Sequence, residues 1–288
     1  MQQWHYPYEV RKQMLAGGAL ELAYIDEGPG TAETLLMIHG LGTNLKSFAK
    51  MIAALRSRYR CIAIDLPGYG KSSQKEYPFS MAFFADAIAA FLEALDLRGV
   101  TAVGHSMGGQ IALHLAHRRP GLVDKLVLLA PAGFEQFQPA DRLWFERVYD
   151  LALLENLPTG QIVYNFHLNF FRFPKDAEFM IEDRLLLRSH TQAYRYFCRM
   201  VAQCVRAMLS EPVYNLMPDI RQPALVFFGR DDQLIPNRWL HPTLTVAQVA
   251  QAGAMRLPRG EVHLLPACGH FPQWERTDLI KAELEVFA

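Results

Sequence analysis

Short apolar runs recur along this chain, each followed by a segment of helical periodicity, and this alternation limits the fold more than any other feature. "TLLMIHG" and "RCIAIDLPG" show no polar alternation, as expected of strands buried on both faces. "VTAVGH", "DKLVLLAP", "PALVFFG" and "EVHLLP" continue the series. Between them lie amphipathic stretches. Phe48, Ile52 and Leu55 fall on one helical face. Phe84, Ile88, Phe91 and Leu95 fall on another, with Ser80 placed to cap it. The pattern predicts an α/β fold with a mostly parallel central sheet and helices on both faces. A hairpin of "YEVRKQML" and "ALELAYIDEG", turning at Gly17-Gly18, precedes it.

The rhythm breaks after Pro131. Residues 134–211 contain no convincing strand and read as helices punctuated by Pro158, Pro174 and Pro212. The α/β rhythm then resumes, with a helix expected near 238–252 and another from about 271. The expected organisation is a core of residues 1–133 and 212–288 with an all-helical insertion of 134–211. Phe166, Phe170 and Phe173 should share one helical face in that insertion. Its aromatic content argues for an apolar substrate group and not a sugar or phosphate.

With 288 residues, 51% of them hydrophobic, the chain can bury a large core. Lys plus Arg and Asp plus Glu balance at 29 each, which gives no electrostatic footprint for nucleic acid. Cys61, Cys198, Cys204 and Cys268 form no C-x-x-C pair, and are expected to be reduced thiols in a cytoplasmic protein. Neither a signal peptide nor a membrane-spanning helix is expected.

Within "VGHSMGGQ" (103–110), Gly104, Ser106 and Gly108 form G-x-S-x-G. Roughly one chain of this length in ten would contain that pattern by chance. The pattern carries chemistry only on a sharp strand-to-helix turn, which "VTAV" and "GGQIALHLAH" supply. Ser106 is therefore the candidate nucleophile, and the Met107 N–H that follows it can serve an oxyanion hole. A serine hydroxyl needs a base, and the base an orienting acid. Both should lie in loops at the C-terminal ends of later strands. Among ten histidines, His270 directly follows a strand in a Gly-bearing loop. His114 and His117 read as helix surface, His167 and His190 as insertion residues, His241 as a helix start and His263 as a strand residue. Asp231 and Asp232 are both candidates for the acid, and adjacent residues on an extended loop point in opposite directions.

The stretches "MIHGLGTN", "AIDLPGYGKS", "VGHSMGGQIAL", "FGRDDQLIP" and "GHFPQWE" together resemble the α/β-hydrolase superfamily. In that superfamily the acid fits G-x-x-D-x-x-x-P. Gly229, Asp232 and Pro236 fit it here, so the resemblance implies Asp232 as the acid. It also implies Leu41 as the second oxyanion N–H donor, His39 as a loop-organising residue and residues 134–211 as a cap. Serine in place of the aspartate nucleophile of related dehalogenases and epoxide hydrolases implies acyl transfer to water. The leading expectation is a carboxylesterase acting on a small-molecule apolar ester, needing no metal or cofactor. The rival is a carbon–carbon hydrolase of the meta-cleavage type, which "ACGHFPQWE" resembles. Those enzymes usually carry Asn before the nucleophile, where this chain has His105. A more distant reading is a non-catalytic ligand receptor on the same fold.

Overall fold

A computed structural model describes residues 4–287. Among them eight strands build one sheet: β1 (Arg11–Leu15), β2 (Leu20–Glu27), β3 (Thr34–Ile38), β4 (Arg60–Ile64), β5 (Val100–His105), β6 (Val123–Leu129), β7 (Ala224–Gly229) and β8 (Gly260–Leu265). Their spatial order is β1-β2-β4-β3-β5-β6-β7-β8. β2 pairs antiparallel with both β1 and β4. All later pairs are parallel, as the unbroken apolar runs predict.

The period of two sorts each strand between two cores. Leu36 and Ile38 of β3 pack on one face with Phe84, Ile88 and Ile111. Leu35 and Met37 pack on the other with Phe48, Ile52 and Ile280. The first face is covered by α2 (Met81–Ala94) and α3 (Met107–Arg118), the second by α1 (Ala49–Leu55) and α11 (Thr277–Phe287). Ser80 caps α2 as its sequence predicts, accepting the Phe83 N–H at 3.0 Å.

The topology positions the site. From β3 the chain crosses to β4 on one side and then to β5 on the other. The reversal leaves a crevice beyond the C-terminal ends of β3 and β5, where open α/β sheets bind ligands. The loop after β3 and the turn after β5 meet there.

Between β6 and β7 lie α4 (Pro139–Val148), α5 (Leu151–Glu155), α6 (Thr159–His167), α7 (Glu178–Arg188) and α8 (Thr191–Ser210). The sequence misleads in several places here. Helix α6 ends at His167, so Phe166, Phe170 and Phe173 do not share one helical face. They still meet in a third apolar cluster with Phe271 and Trp274, because the chain after α6 folds back onto the 269–275 segment. After β7 the helix expected near 238–252 is α9 (Val246–Ala254), which begins at its Thr245 capping box. His241 therefore opens no helix, and its Nδ1 sits 2.5 Å from the Glu135 carboxylate. His114 is not a surface residue. It is buried, and its Nε2–H donates to the Glu211 carbonyl. The final helix is broken into α10 (Pro272–Glu275) and α11. No helix among the described residues is long and apolar enough to cross a membrane.

Candidate active site

Ser106 follows the last residue of β5 and precedes the first of α3, with φ 53° and ψ −117°. That conformation is costly for a residue with a Cβ and persists only where surroundings enforce it. The Ser106 N–H donates to the Leu129 carbonyl at 2.9 Å, and the Ser106 carbonyl accepts from Ala132 at 3.0 Å. Gly108 makes the turn possible, since a Cβ there would lie 2.1 Å from the Ile38 carbonyl oxygen. The helix thus starts tight against β3, with the hydroxyl standing half-exposed at its N-terminus.

The three candidate side chains come together. His270 Nδ1 lies 2.8 Å from Asp232 Oδ2. His270 Nε2 lies 3.0 Å from Ser106 Oγ. An ionised carboxylate only accepts, so Nδ1 carries the proton and donates to it. The Nε2 lone pair is then left facing the serine hydroxyl, which donates. Asp232 and His270 are both buried. The other Asp232 oxygen accepts from the Leu234 and Ile235 N–H groups at 2.8 and 3.1 Å, so the carboxylate cannot turn away. Asp231 is only half-buried, and its carboxylate touches neither His270 nor Ser106. Gly229 lets the two loops meet, because a Cβ there would lie 2.1 Å from the Gly269 carbonyl.

Gly40 lies against the serine, where a Cβ would come 3.1 Å from Ser106 Cβ. Leu41 follows it directly. Among the described residues neither the Leu41 nor the Met107 N–H has a hydrogen-bond acceptor, and both flank the elbow. His39 holds this loop. Its Nδ1–H donates to the Gly40 carbonyl at 2.9 Å, and its Nε2 accepts the Leu66 N–H at 3.1 Å. Burial pushes its pKa down to about 4, so the ring stays neutral. Asp65 secures the neighbouring loop through Leu45, Lys71 and Tyr6. Burial raises its carboxyl to about 6 even though these donors favour the charge.

The insertion packs beside the loop that follows β3. A cleft open to solvent runs between the 42–47 loop and helices α6–α8, and Phe166, Phe179, Met180, Leu187 and Phe197 line it. Its polar residues were not foreseen from sequence. The Arg184 side chain donates to the Gly42 carbonyl and stacks 4.1 Å over the Phe197 ring. Lys46 pairs with Asp183 at 2.5 Å. A lone arginine in a helical segment carries no local signal, since its role depends on which loop it reaches. Glu275 was also overlooked, although it ends the "GHFPQWE" stretch. One of its oxygens accepts the Phe171 N–H at 2.8 Å and the other the Gly269 N–H at 2.7 Å, which ties the insertion to the histidine loop.

A family model described as alpha/beta hydrolase fold matches residues 33–277. A Paraburkholderia phymatum protein named 2-hydroxy-6-oxononadienedioate/2-hydroxy-6-oxononatrienedioate hydrolase is 30% identical over 276 residues, covering 92% of this chain and 90% of its own. A probable hydrolytic enzyme of Pseudomonas aeruginosa superposes with a TM-score of 0.83 at 24% identity, over 98% of this chain and 95% of its own. An esterase from Exiguobacterium antarcticum superposes with a TM-score of 0.77 at 19% identity, over 97% and 99%. Both structural likenesses speak for the fold alone. The sheet order, the elbow after β5 and the family match lead to one conclusion: this chain belongs to the alpha/beta hydrolase fold family.

Proposed function

We propose that the protein is a serine hydrolase that cleaves carboxylic esters of small to medium apolar substrates through an acyl-enzyme. One observation carries the reading: His270 joins Asp232 at 2.8 Å on one ring nitrogen and Ser106 Oγ at 3.0 Å on the other. Ser106 Oγ attacks the ester carbonyl carbon while its proton passes to His270 Nε2. The carbonyl oxygen gains negative charge in front of the Leu41 and Met107 N–H groups, each donor worth about 3 kcal/mol to the transition state. His270 then gives its proton to the departing alkoxide, which leaves as alcohol. Water repeats the sequence on the acyl-serine, releasing the acid and restoring Ser106. Asp232 keeps the imidazole in the tautomer that can accept.

In this reading residues 134–211 act as a cap over a core of 1–133 and 212–288. The aromatic walls of the cleft receive the acyl or aryl group. Four buried, unpaired cysteines suit a reducing compartment, which supports a cytoplasmic location.

Arg184 favours a second reading. Its half-buried guanidinium lines the cleft with no carboxylate partner among the described residues. A substrate carboxylate would satisfy it. Together with the relative named as a dienedioate hydrolase, this supports carbon–carbon hydrolysis by the same Ser106 machinery. The test is a series of p-nitrophenyl esters from acetate to palmitate beside a vinylogous 1,5-diketone ring-fission product. The ester reading expects the higher kcat/KM on short and medium esters. A higher value on the diketone, lost in Arg184→Gln, would replace it with the second reading.

A further inference from the structure

The side chain beside the nucleophile reaches across to the base. In spatial order β5 and β8 are separated by β6 and β7, so Ser106 and His270 leave strands about 14 Å apart. They must nevertheless meet at 3.0 Å. His105 ends β5, and its side chain falls on the sheet face opposite the one Gly104 turns toward α3, next to Phe271 at a ring separation of 4.5 Å. Its Nε2 lies 2.7 Å from the backbone carbonyl of His270. A carbonyl only accepts, so Nε2 carries the proton and donates. Nδ1 is then a bare lone pair, buried, and without a hydrogen-bond partner. It faces Gly40, where a Cβ would lie 2.9 Å away. An apolar residue would fill this site without stranding a ring nitrogen, so packing alone does not account for a histidine.

Its bond has an obvious use. The His270 N–H donates to the Asn169 carbonyl at 2.7 Å, so with His105 both peptide groups around His270 are held. Asp232 then fixes the ring that remains free to rotate. We infer that His105 is a positioning residue: by donating to the His270 carbonyl it sets the distance from the base to Ser106. The nucleophile and the brace are consecutive residues, so any shift of the β5 end moves both together. Burial and the neighbouring His270 ring hold the His105 pKa well below its ordinary value, which keeps the ring a neutral single donor. The groups around it are His39, His270 and the Gly40 backbone, none of which offers a charge to ionise it.

This inference rests on Ser106 and His270 being nucleophile and base. The test compares His105→Gln, whose amide reaches as far as His Nε2, with His105→Met and His105→Asn, which lack the donor or stop short of the carbonyl. Each is assayed with p-nitrophenyl acetate beside Ser106→Ala, with melting measured throughout. A misplaced base costs up to about 10²-fold. Met and Asn should therefore lower kcat by about 10- to 100-fold with KM within about twofold, and displace the acid limb of the pH–rate profile. Gln should recover most of kcat and restore the limb. Equal activity in all three variants, or equal loss in all three, overturns the brace. Retained activity in Ser106→Ala instead overturns the reading beneath it.

Discussion

Ser106, Asp232 and His270 stand on backbone that is bonded from several sides. Helices α4 and α5 of the insertion bury no residue at all. Around the sheet ends each candidate group has two or more fixed partners, such as Leu129 and Ala132 at Ser106, or Leu234 and Ile235 at Asp232. The insertion instead rests on the long helix α8, on the small cluster around Phe170, and on a few polar ties such as Lys46 with Asp183. The geometry that the proposed chemistry requires to a fraction of an ångström is built into this densely bonded, rigid region. The surface proposed to select substrates lies in the region with fewer buried contacts, where local opening is cheap.

The sharpest way to break this contrast is to remove the serine. Ser106→Ala should lower ester turnover by about 10⁴-fold or more while the fold persists, because nucleophile and base act as a unit. Activity within tenfold of the parent, at an unchanged melting temperature, would reduce the elbow to a turn.

Next come the acids. Asp232→Asn should cost on the order of 10³- to 10⁴-fold in kcat by spoiling the tautomer of His270. Asp231→Asn should cost less than about tenfold, since its carboxylate lies outside the chain of bonds. Reversed magnitudes would move the acid to Asp231.

The same contrast explains what was readable in advance. The strands, the elbow and His270 were legible because each depends on a short contiguous pattern: an apolar run, a glycine pair, a strand-end loop. Asp232 was separable from Asp231 only by resemblance. The physical reason is the pair of N–H groups that turn one carboxylate inward, and these appear only when the 232–236 loop is folded. Phe170 and Phe173 were misplaced because their helix stops early, and tertiary contact with Phe271 decides where they go. His114 looked like surface by its place in a helix, yet the chain end of the insertion at Glu211 covers it. Arg184 and Glu275 act only across long sequence separations, which periodicity does not encode.

The rigid region also sets how stability responds to acid. His39, with its pKa near 4, and His105, well below its ordinary value, are held neutral by burial. In the unfolded chain both take a proton near pH 6.5, so the unfolded state binds more protons and stability falls as pH drops below about 6.5. Asp65 opposes this. Its carboxyl is raised to about 6, so the folded state keeps that proton below about pH 6 and its contribution grows as pH falls. Burial also lowers His114, which adds to the two histidines, and raises Glu135, Asp183 and Glu275 by less than Asp65, so stability should fall between pH 7.5 and pH 5. Urea unfolding at both values checks it. An equal or higher midpoint at pH 5 would contradict the burial argument.

The smallest effect belongs to the insertion. Phe197→Ala should raise KM for hexanoate and octanoate esters by about three- to tenfold, with acetate nearly unchanged, because it shortens one apolar wall of the cleft. A uniform change along the series would mean that the wall does not sense chain length.

The central claim is that the acyl group is carried by Ser106, with His270 as its base and Asp232 orienting that base. Rapid mixing with p-nitrophenyl butyrate, acid quenching and peptide mass mapping test it directly. The account predicts a burst of p-nitrophenolate approaching one equivalent where deacylation is the slower step, and a butyryl mass on the peptide bearing Ser106 that is absent in His270→Ala. Turnover with no acyl adduct, or an adduct on another residue, would contradict it.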